Sequence, residues 1–391
     1  MSLQSIYADL HIHIGRDYHN KPVKITGSKT LTLTNILKEA SRKKGIQLIG
    51  VIDCHVPAVQ NELDQLLATN KAEELEDGGI KFEEVTLILG SEIEVYDENC
   101  HGPIHVLCYL PNLHKMKQFT DWLSTRMTNI NLSSQRYYGS GKDLQYKVKE
   151  LEGLFIIAHV FTPFKSLYGK GVNQSLTEVF DPDLIDAIEL GLSSDTEMAD
   201  VIKELHAYTF LTNSDAHSLA KIAREYQKVQ VAYPSFKELT WALHRVENRK
   251  IEVNYGMNPQ LGKYHTTVCK QCLSNQIEGT ICKTCGHDGV IKGVADRINE
   301  LKDTNEQPIN RVPYIHQIPL EYIKGLGPKT VDKLLETFGT EMNIIHHAAE
   351  AELTKITTKS ITKQILQMRE GKQTVKSGGG GKYGQVTWEN N

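Results

Sequence analysis

Along the first 255 residues, short and nearly continuous apolar runs alternate with longer segments of mixed polarity. The runs QLIGVID (47–53), VTLILG (85–90), IHVLCYL (104–110), LFIIAH (154–159), DAIEL (186–190), YTFLTNSD (208–215) and KVQVAY (228–233) predict strands, because strands covered on both faces lose the in–out alternation. LTNILKEASRKKG (33–45), with Gly45 as its stop, and FKELTWALHRVENRK (236–250) predict helices. Repeated strand–helix units imply a parallel sheet or a barrel of the α/β class. Gly, Pro and Asn crowd into NYGMNPQLGKYHTT (254–267) and mark a boundary. Four parts are expected: 1–255, a cysteine-bearing unit 256–293, a helical unit 294–370 and a Gly-rich basic tail 371–391 that is mobile without a partner.

Composition narrows the class. With 40% hydrophobic and 24% charged residues the chain can bury a core. No apolar run reaches the roughly 18–20 residues of a membrane span, and MSLQSIYADL lacks a signal-peptide core. A cytoplasmic protein, nucleoid-associated if bacterial, is the expectation. Cys54, Cys100 and Cys108 are scattered and the other four cysteines form two CxxC pairs, which suits a reducing compartment. Charge is divided unevenly. Residues 1–260 hold 27 Lys and Arg against 34 Asp and Glu, a net of −7, with 11 of the 16 histidines; residues 261–391 hold 17 against 14, a net of +3. An acidic, histidine-rich part beside a basic one suggests a metal-loaded catalytic unit with a polyanion-binding appendage.

The metal-type residues fall at the ends of the predicted strands. His11 and His13 close DLHIH, and their spacing of two puts both imidazoles on one face of a strand. Asp53 and His55 end the next run, Glu92 follows in GSEIEV, His105 lies on the run preceded by HGPI, His159 ends LFIIAH, and Asp215 and His217 end NSDAH. In a strand–helix barrel such ends converge on one face. Mixed imidazole and carboxylate ligands suit Zn²⁺, Mn²⁺ or Fe²⁺ better than Ca²⁺. Two or three ions are expected, with Glu92 able to bridge. His114, His206 and His244 read as surface residues, and His101 is an alternative to the better-phased His105.

Cys269-x₂-Cys272-x₉-Cys282-x₂-Cys285 has the spacing of a tetrahedral Cys₄ site for a structural Zn²⁺. In IPLEYIKGLGPKTVDKLLETFG (318–339) a short helix is expected to end at Gly325-Leu326-Gly327 and a second to begin at Pro328-Lys329-Thr330. Such a turn cradles a phosphate on backbone amides, and it resembles the helix–hairpin–helix element, which grips duplex backbone without reading sequence. Two Gly-rich loops, with Arg136, Tyr137 and Tyr138 in one and Tyr168 and Lys170 in the other, are candidates for stacking on an unpaired base, and Lys382 in the tail is a candidate backbone contact.

DLHIH, His55, the GSEIE carboxylate, HVLCYL, IIAHV and NSDAH resemble the successive motifs of the polymerase-and-histidinol-phosphatase (PHP) superfamily. That resemblance implies a distorted (β/α)7 barrel with a trinuclear site for phosphoester hydrolysis. It implies His11, His13, His55, Glu92, His105, His159, Asp215 and His217 as ligands of Zn²⁺, Mn²⁺ or Mg²⁺ ions. After DLHIH many relatives carry Ser-Asp-Gly where this chain has GRDYHN, so Asp17 and His19 compete for a ninth position. From DLHIH to the tail the chain resembles the endonuclease Q family. This implies a monomeric, metal-dependent DNA repair endonuclease that nicks on the 5′ side of deaminated bases (uracil, hypoxanthine, xanthine) and abasic sites, leaving 3′-hydroxyl and 5′-phosphate ends. Its partner would be damaged DNA, held without sequence specificity. The alternatives are a small-molecule phosphoesterase of the histidinol-phosphatase type and a non-catalytic DNA-binding protein.

Overall fold

The computed structural model describes residues 2–376, 378 and 384–388. Ten strands follow one path through its main sheet: β1 (Gln4–Ile12), β2 (Leu48–Val51), β3 (Val85–Val95), β4 (Ile104–Leu110), β5 (Leu154–Ile157), β6 (Ala187–Glu189), β7 (Thr209–Leu211), β8 (Tyr226–Val231), β9 (Lys250–Gly256) and β10 (Tyr314–His316). Their order is β7-β6-β5-β4-β3-β2-β1-β8-β9-β10. The sheet is mixed, where the repeated strand–helix units implied a parallel sheet or a barrel. β4 runs antiparallel to both β3 and β5, and β8 is antiparallel to both β1 and β9.

The sheet curls. Just beyond β7, Ala216 forms a parallel bridge with Ile12 of β1, through His13 N–H to the Ala216 carbonyl and Ala216 N–H to the His11 carbonyl, both 3.1 Å. The buried Asp9 carboxylate reinforces this seam by accepting the amides of Ser214 at 3.0 Å and Ala223 at 2.9 Å. At Gly50 the strands lie so close that a Cβ would stand 2.4 Å from the Leu10 carbonyl oxygen.

Every β4 residue is buried, as its unbroken apolar run predicts. Successive side chains serve two cores. Ile6, Ala8, Leu10, Ile88, Leu107, Tyr109 and Ile156 fill the inside of the curl, and the helix Phe236–His244 packs Phe236, Leu239 and Leu243 on the same cluster. Tyr7, Ile49, Val51, Leu87 and Leu89 face the surrounding helices. That helix is shorter than expected because Arg245 turns left-handed, with φ +58°.

The cysteine unit consists of two tiny ribbons, Val268–Cys269 with Val290–Ile291 and Ile277–Glu278 with Ile281–Cys282. After the helix Val294–Leu301 the chain returns to the main sheet as β10, which pairs in parallel with β9. The C-terminal helices Pro328–Phe338, Glu350–Ile356 and Lys359–Arg369 bury Leu334, Leu353, Ile361, Ile365 and Met368. The expected mobile tail instead pairs Thr374–Lys376 with Gln385–Thr387, and Val375, Val386 and Trp388 pack on the core. Lys382 lies outside the described residues. No helix of the described residues is long and apolar enough to cross a membrane.

Candidate metal centre

The strand directions explain how the titratable residues meet. β1, β2, β3, β5, β6 and β7 run the same way, so His13, His55, His159, Glu189 and Asp215 emerge at one rim. β4 runs the opposite way, and therefore contributes His105 from its beginning. Three trios offer one ligand atom each within 4.8 Å of one another: His11, His13 and Glu92; His13, Asp215 and His217; Glu92, His105 and His159. Glu92 and His13 are each shared by two trios. Together with Lys24 and the 162–165 loop they line a cavity of about 230 Å³.

His55 stands apart from the trios. It is buried, with Nε2 3.3 Å from the Leu132 carbonyl oxygen, and burial lowers its affinity for a proton. Neither candidate for a ninth position joins the cluster. Asp17 turns its carboxylate onto its own loop, accepting the amides of His19 at 2.9 Å and Lys21 at 2.8 Å. His19 is exposed and packs on Tyr18.

The donors are built to meet cations. His11 Nε2, His13 Nε2, His55 Nδ1, His105 Nε2 and Asp215 Oδ1 are buried with no hydrogen-bond partner among the described residues, a costly arrangement unless something else binds there. The opposite edges of the imidazoles are held. The Glu189 carboxylate accepts from His11 Nδ1–H with both oxygens at 3.0 Å, and also accepts the His159 amide at 3.0 Å. His13 Nδ1 faces Asp53 at 3.2 Å and Ser133 at 3.0 Å. Such partners fix the tautomer that aims the free lone pair inward. Burial alone would raise Glu92 and Asp215, but His105 and Lys24 hold Glu92, and His11 and His13 hold Asp215, well below the usual carboxylate range. Both are ionised at neutral pH. His159 and Asp215 adopt left-handed backbone, φ +27° and +44°, strain of about 1–3 kcal/mol each that concentrates at this rim.

Four residues here are absent from the sequence-based ligand set. Glu189 and Asp53 had a signal, a carboxylate ending an otherwise apolar run. Lys24, whose Nζ lies 3.3 Å from Glu92 and 2.6 Å from Ser134, and Ser133 come from loops with no pattern to mark them.

The four thiols of the cysteine unit lie within one ligand sphere. Cys269 and Cys285 are 3.6 Å apart and Cys272 and Cys282 3.5 Å, close to the roughly 3.8 Å edge of a tetrahedral thiolate site with 2.3 Å bonds. Against the effect of burial, the amides of Cys285 and Thr284 draw Cys282 down to about 6. Both donor sets fit metal ions.

The glycine turn is preceded by a single 3₁₀ turn, Leu320–Tyr322, in place of the expected short helix. Gly325 has φ +88°, Gly327 caps the helix Pro328–Phe338, Lys329 is exposed and Thr330 half-buried. The turn is pinned from below by Gln364, which accepts the Lys324 amide at 3.1 Å. Arg136 lies between the rings of Tyr96 and Tyr138 and Lys170 is exposed, but Tyr137 and Tyr168 are buried, Tyr168 donating to Glu204. No base can stack on those two rings, which corrects that expectation.

No family model matches the chain. An uncharacterized Bacillus subtilis protein, YqxK, is 54% identical over 385 residues, 98% of this chain and 100% of the relative. The crystal structure of PfuEndoQ, a lesion-specific endonuclease from Pyrococcus furiosus, is similar over 98% of this chain and 95% of its own, with a TM-score of 0.84 and 32% identity. A complex of endonuclease Q with a 27-mer duplex substrate carrying an abasic lesion at the active site is similar over 98% of this chain and 96% of that one, with a TM-score of 0.83 and 32% identity. The likeness runs through the curled sheet, the cysteine unit and the helical unit alike, and the chain belongs to the endonuclease Q family.

Proposed function

We infer that this protein is a lesion-specific, metal-dependent DNA endonuclease that hydrolyses the phosphodiester on the 5′ side of deaminated bases and abasic sites, leaving 3′-hydroxyl and 5′-phosphate ends. The observation that carries the reading is the likeness over 98% of the chain to an endonuclease Q bound to a duplex with an abasic lesion at its active site.

In this reading the curled sheet is a distorted seven-stranded barrel of the PHP type. His11, His13, Glu92, His105, His159, Asp215 and His217 hold two or three divalent ions (Zn²⁺, Mn²⁺ or Mg²⁺), with His55 beside them. Such ions supply a nucleophilic water at neutral pH and stabilise charge on phosphoryl oxygens. The chain's own residues do the rest. Glu189, Asp53 and Ser133 keep the imidazole lone pairs aimed inward. Lys24 sets Glu92 and places a positive charge on the cavity wall, where a phosphate is drawn. The Cys₄ unit (256–293) carries a structural Zn²⁺. The helical unit (294–370) uses Gly325, Gly327, Lys329 and Thr330 as a helix–hairpin–helix grip, with Arg136, Tyr138 and Lys170 as further contacts. The protein acts as a cytoplasmic monomer.

End-labelled duplexes carrying one uracil, one hypoxanthine, one abasic site or no lesion test this. The expected result is a nick immediately 5′ to each lesion, abolished by a chelator, restored by added metal, and reduced at least about 100-fold in Asp215→Ala, since even outer-shell partners of metal ligands are worth about 10–100-fold. Hydrolysis of small phosphomonoesters with no cleavage of any duplex would overturn it.

A further inference from the structure

We propose that Phe164 is the platform on which the extruded lesion base stacks, and so a specificity-determining residue that separates base-bearing lesions from abasic ones. The proposal rests on the endonuclease reading of the metal centre. An enzyme that cleaves beside a damaged base gains selectivity by taking that nucleotide out of the stack, and a displaced base needs an aromatic face. Among the described residues the cavity is otherwise lined by imidazoles, carboxylates, a threonine and two lysines, and Phe164 is the one aromatic hydrocarbon side chain on its wall. Although it belongs to that cavity, 47% of its surface is open, an unusual exposure for a phenylalanine in a chain that buries Phe155, Phe161, Phe180 and Phe210 almost completely.

The ring is held in place. The Thr162 hydroxyl lies 3.0 Å from the Phe164 carbonyl oxygen and 3.2 Å from His159 Nδ1. Donating to the carbonyl while accepting from Nδ1–H, it ties the loop to a proposed metal ligand. Lys165 is left-handed, φ +53°, and is kept so by the His105 amide on its carbonyl at 2.9 Å and by Glu94 on its Nζ at 2.8 Å. Tyr264, near the start of the cysteine unit, packs edge-to-face on Phe164 at 5.6 Å. Lys170 Nζ lies over the ring, 5.9 Å from its centre, and sets a positive charge beside it.

Single-turnover nicking by the wild type, Phe164→Ala and Phe164→Trp on uracil, hypoxanthine and abasic duplexes decides the matter. An abasic site has no base to stack. Phe164→Ala is therefore expected to slow uracil and hypoxanthine nicking about 10–100-fold while leaving abasic nicking within about 3-fold of wild type, and Phe164→Trp to retain both. Equal slowing on all three duplexes would overturn the proposal, since the ring would then only brace Tyr264 and the loop around it. No change on any duplex would overturn it too, as would a wild type that nicks abasic sites alone. A wild type that nicks no lesion defeats the endonuclease reading itself. Metal content and melting temperature check that Phe164→Ala is folded, and Phe164→Leu, which keeps bulk without a π face, replaces it if it is not.

Discussion

Glu189 spends both carboxylate oxygens on one nitrogen of His11 and still accepts the His159 amide. It touches two proposed ligands without reaching the cavity wall. Glu189→Ala is expected to weaken divalent-ion binding about 10–100-fold, as loss of an orienting partner does, with nicking largely recovered at saturating metal. Calorimetric titration of the metal-stripped protein measures this, and unchanged affinity would show that His11 needs no orientation. At this scale the ligand types were legible because chemistry restricts them: few side chains other than His and carboxylates end apolar strands in such numbers. Their supports were less so. Ser133 and Lys24 reach the centre only because their loops fold across the rim, and nothing local in those loops distinguishes them. Tyr137 and Tyr168 failed the opposite way, since a tyrosine in a Gly-rich loop reads as exposed until packing buries its ring.

Among the elements, the glycine turn before Pro328–Phe338 has the sharpest requirement. Gly325 needs positive φ, while the nearest atom to an added Cβ is Ile361 Cδ1 at 3.9 Å. Gly325→Ala would therefore meet backbone strain of about 1–2 kcal/mol rather than a clash. The expected outcome is several-fold weaker binding to damaged and undamaged duplexes alike, read by fluorescence anisotropy; a loss confined to lesion DNA would mean that the turn senses the lesion rather than the backbone. Element type followed well from pattern. IHVLCYL gave β4 to the residue, and the helix Leu33–Glu39 continues as a π turn to Gly45, the expected stop. Pairing direction did not follow, because an apolar run buried on both faces looks the same in parallel and antiparallel neighbours.

In the whole molecule, the curled sheet and the C-terminal helices meet at His346. Its ring stacks on Tyr7 at 4.8 Å and its Nε2 lies 2.6 Å from the hydroxyl oxygen of Tyr226, whose O–H donates to Gln317, with the Lys44–Glu341 pair at 2.9 Å beside it. Burial pushes its pKa down to about 3, with help from His347 and Arg369. His346 is thus neutral in the folded protein, while in the unfolded chain it takes up a proton below about 6.5. Its contribution is complete above that pH and is lost as pH falls from about 6.5 toward about 3, by about 2 kcal/mol at pH 5. Urea unfolding at pH 7 and pH 5 should show His346→Phe losing about that much less than the wild type. Identical pH slopes would place the neutral contact elsewhere. Which residues are apolar enough to make strands, which can ligate metal, and where a thiol cluster and a glycine turn must lie could be read from the chain alone, because those properties belong to side chains and their local spacing. Long-range pairing was needed to show that β4 runs backward and so delivers His105 from its start, that Ala216 joins β1 and brings Asp215 to His13, that His55 and Asp17 stand outside the trios, and that Phe164 rather than Tyr168 faces the cavity. These are consequences of strand direction and long-range packing, which depend on residues up to some 200 positions apart, as Asp9 and Ser214 are.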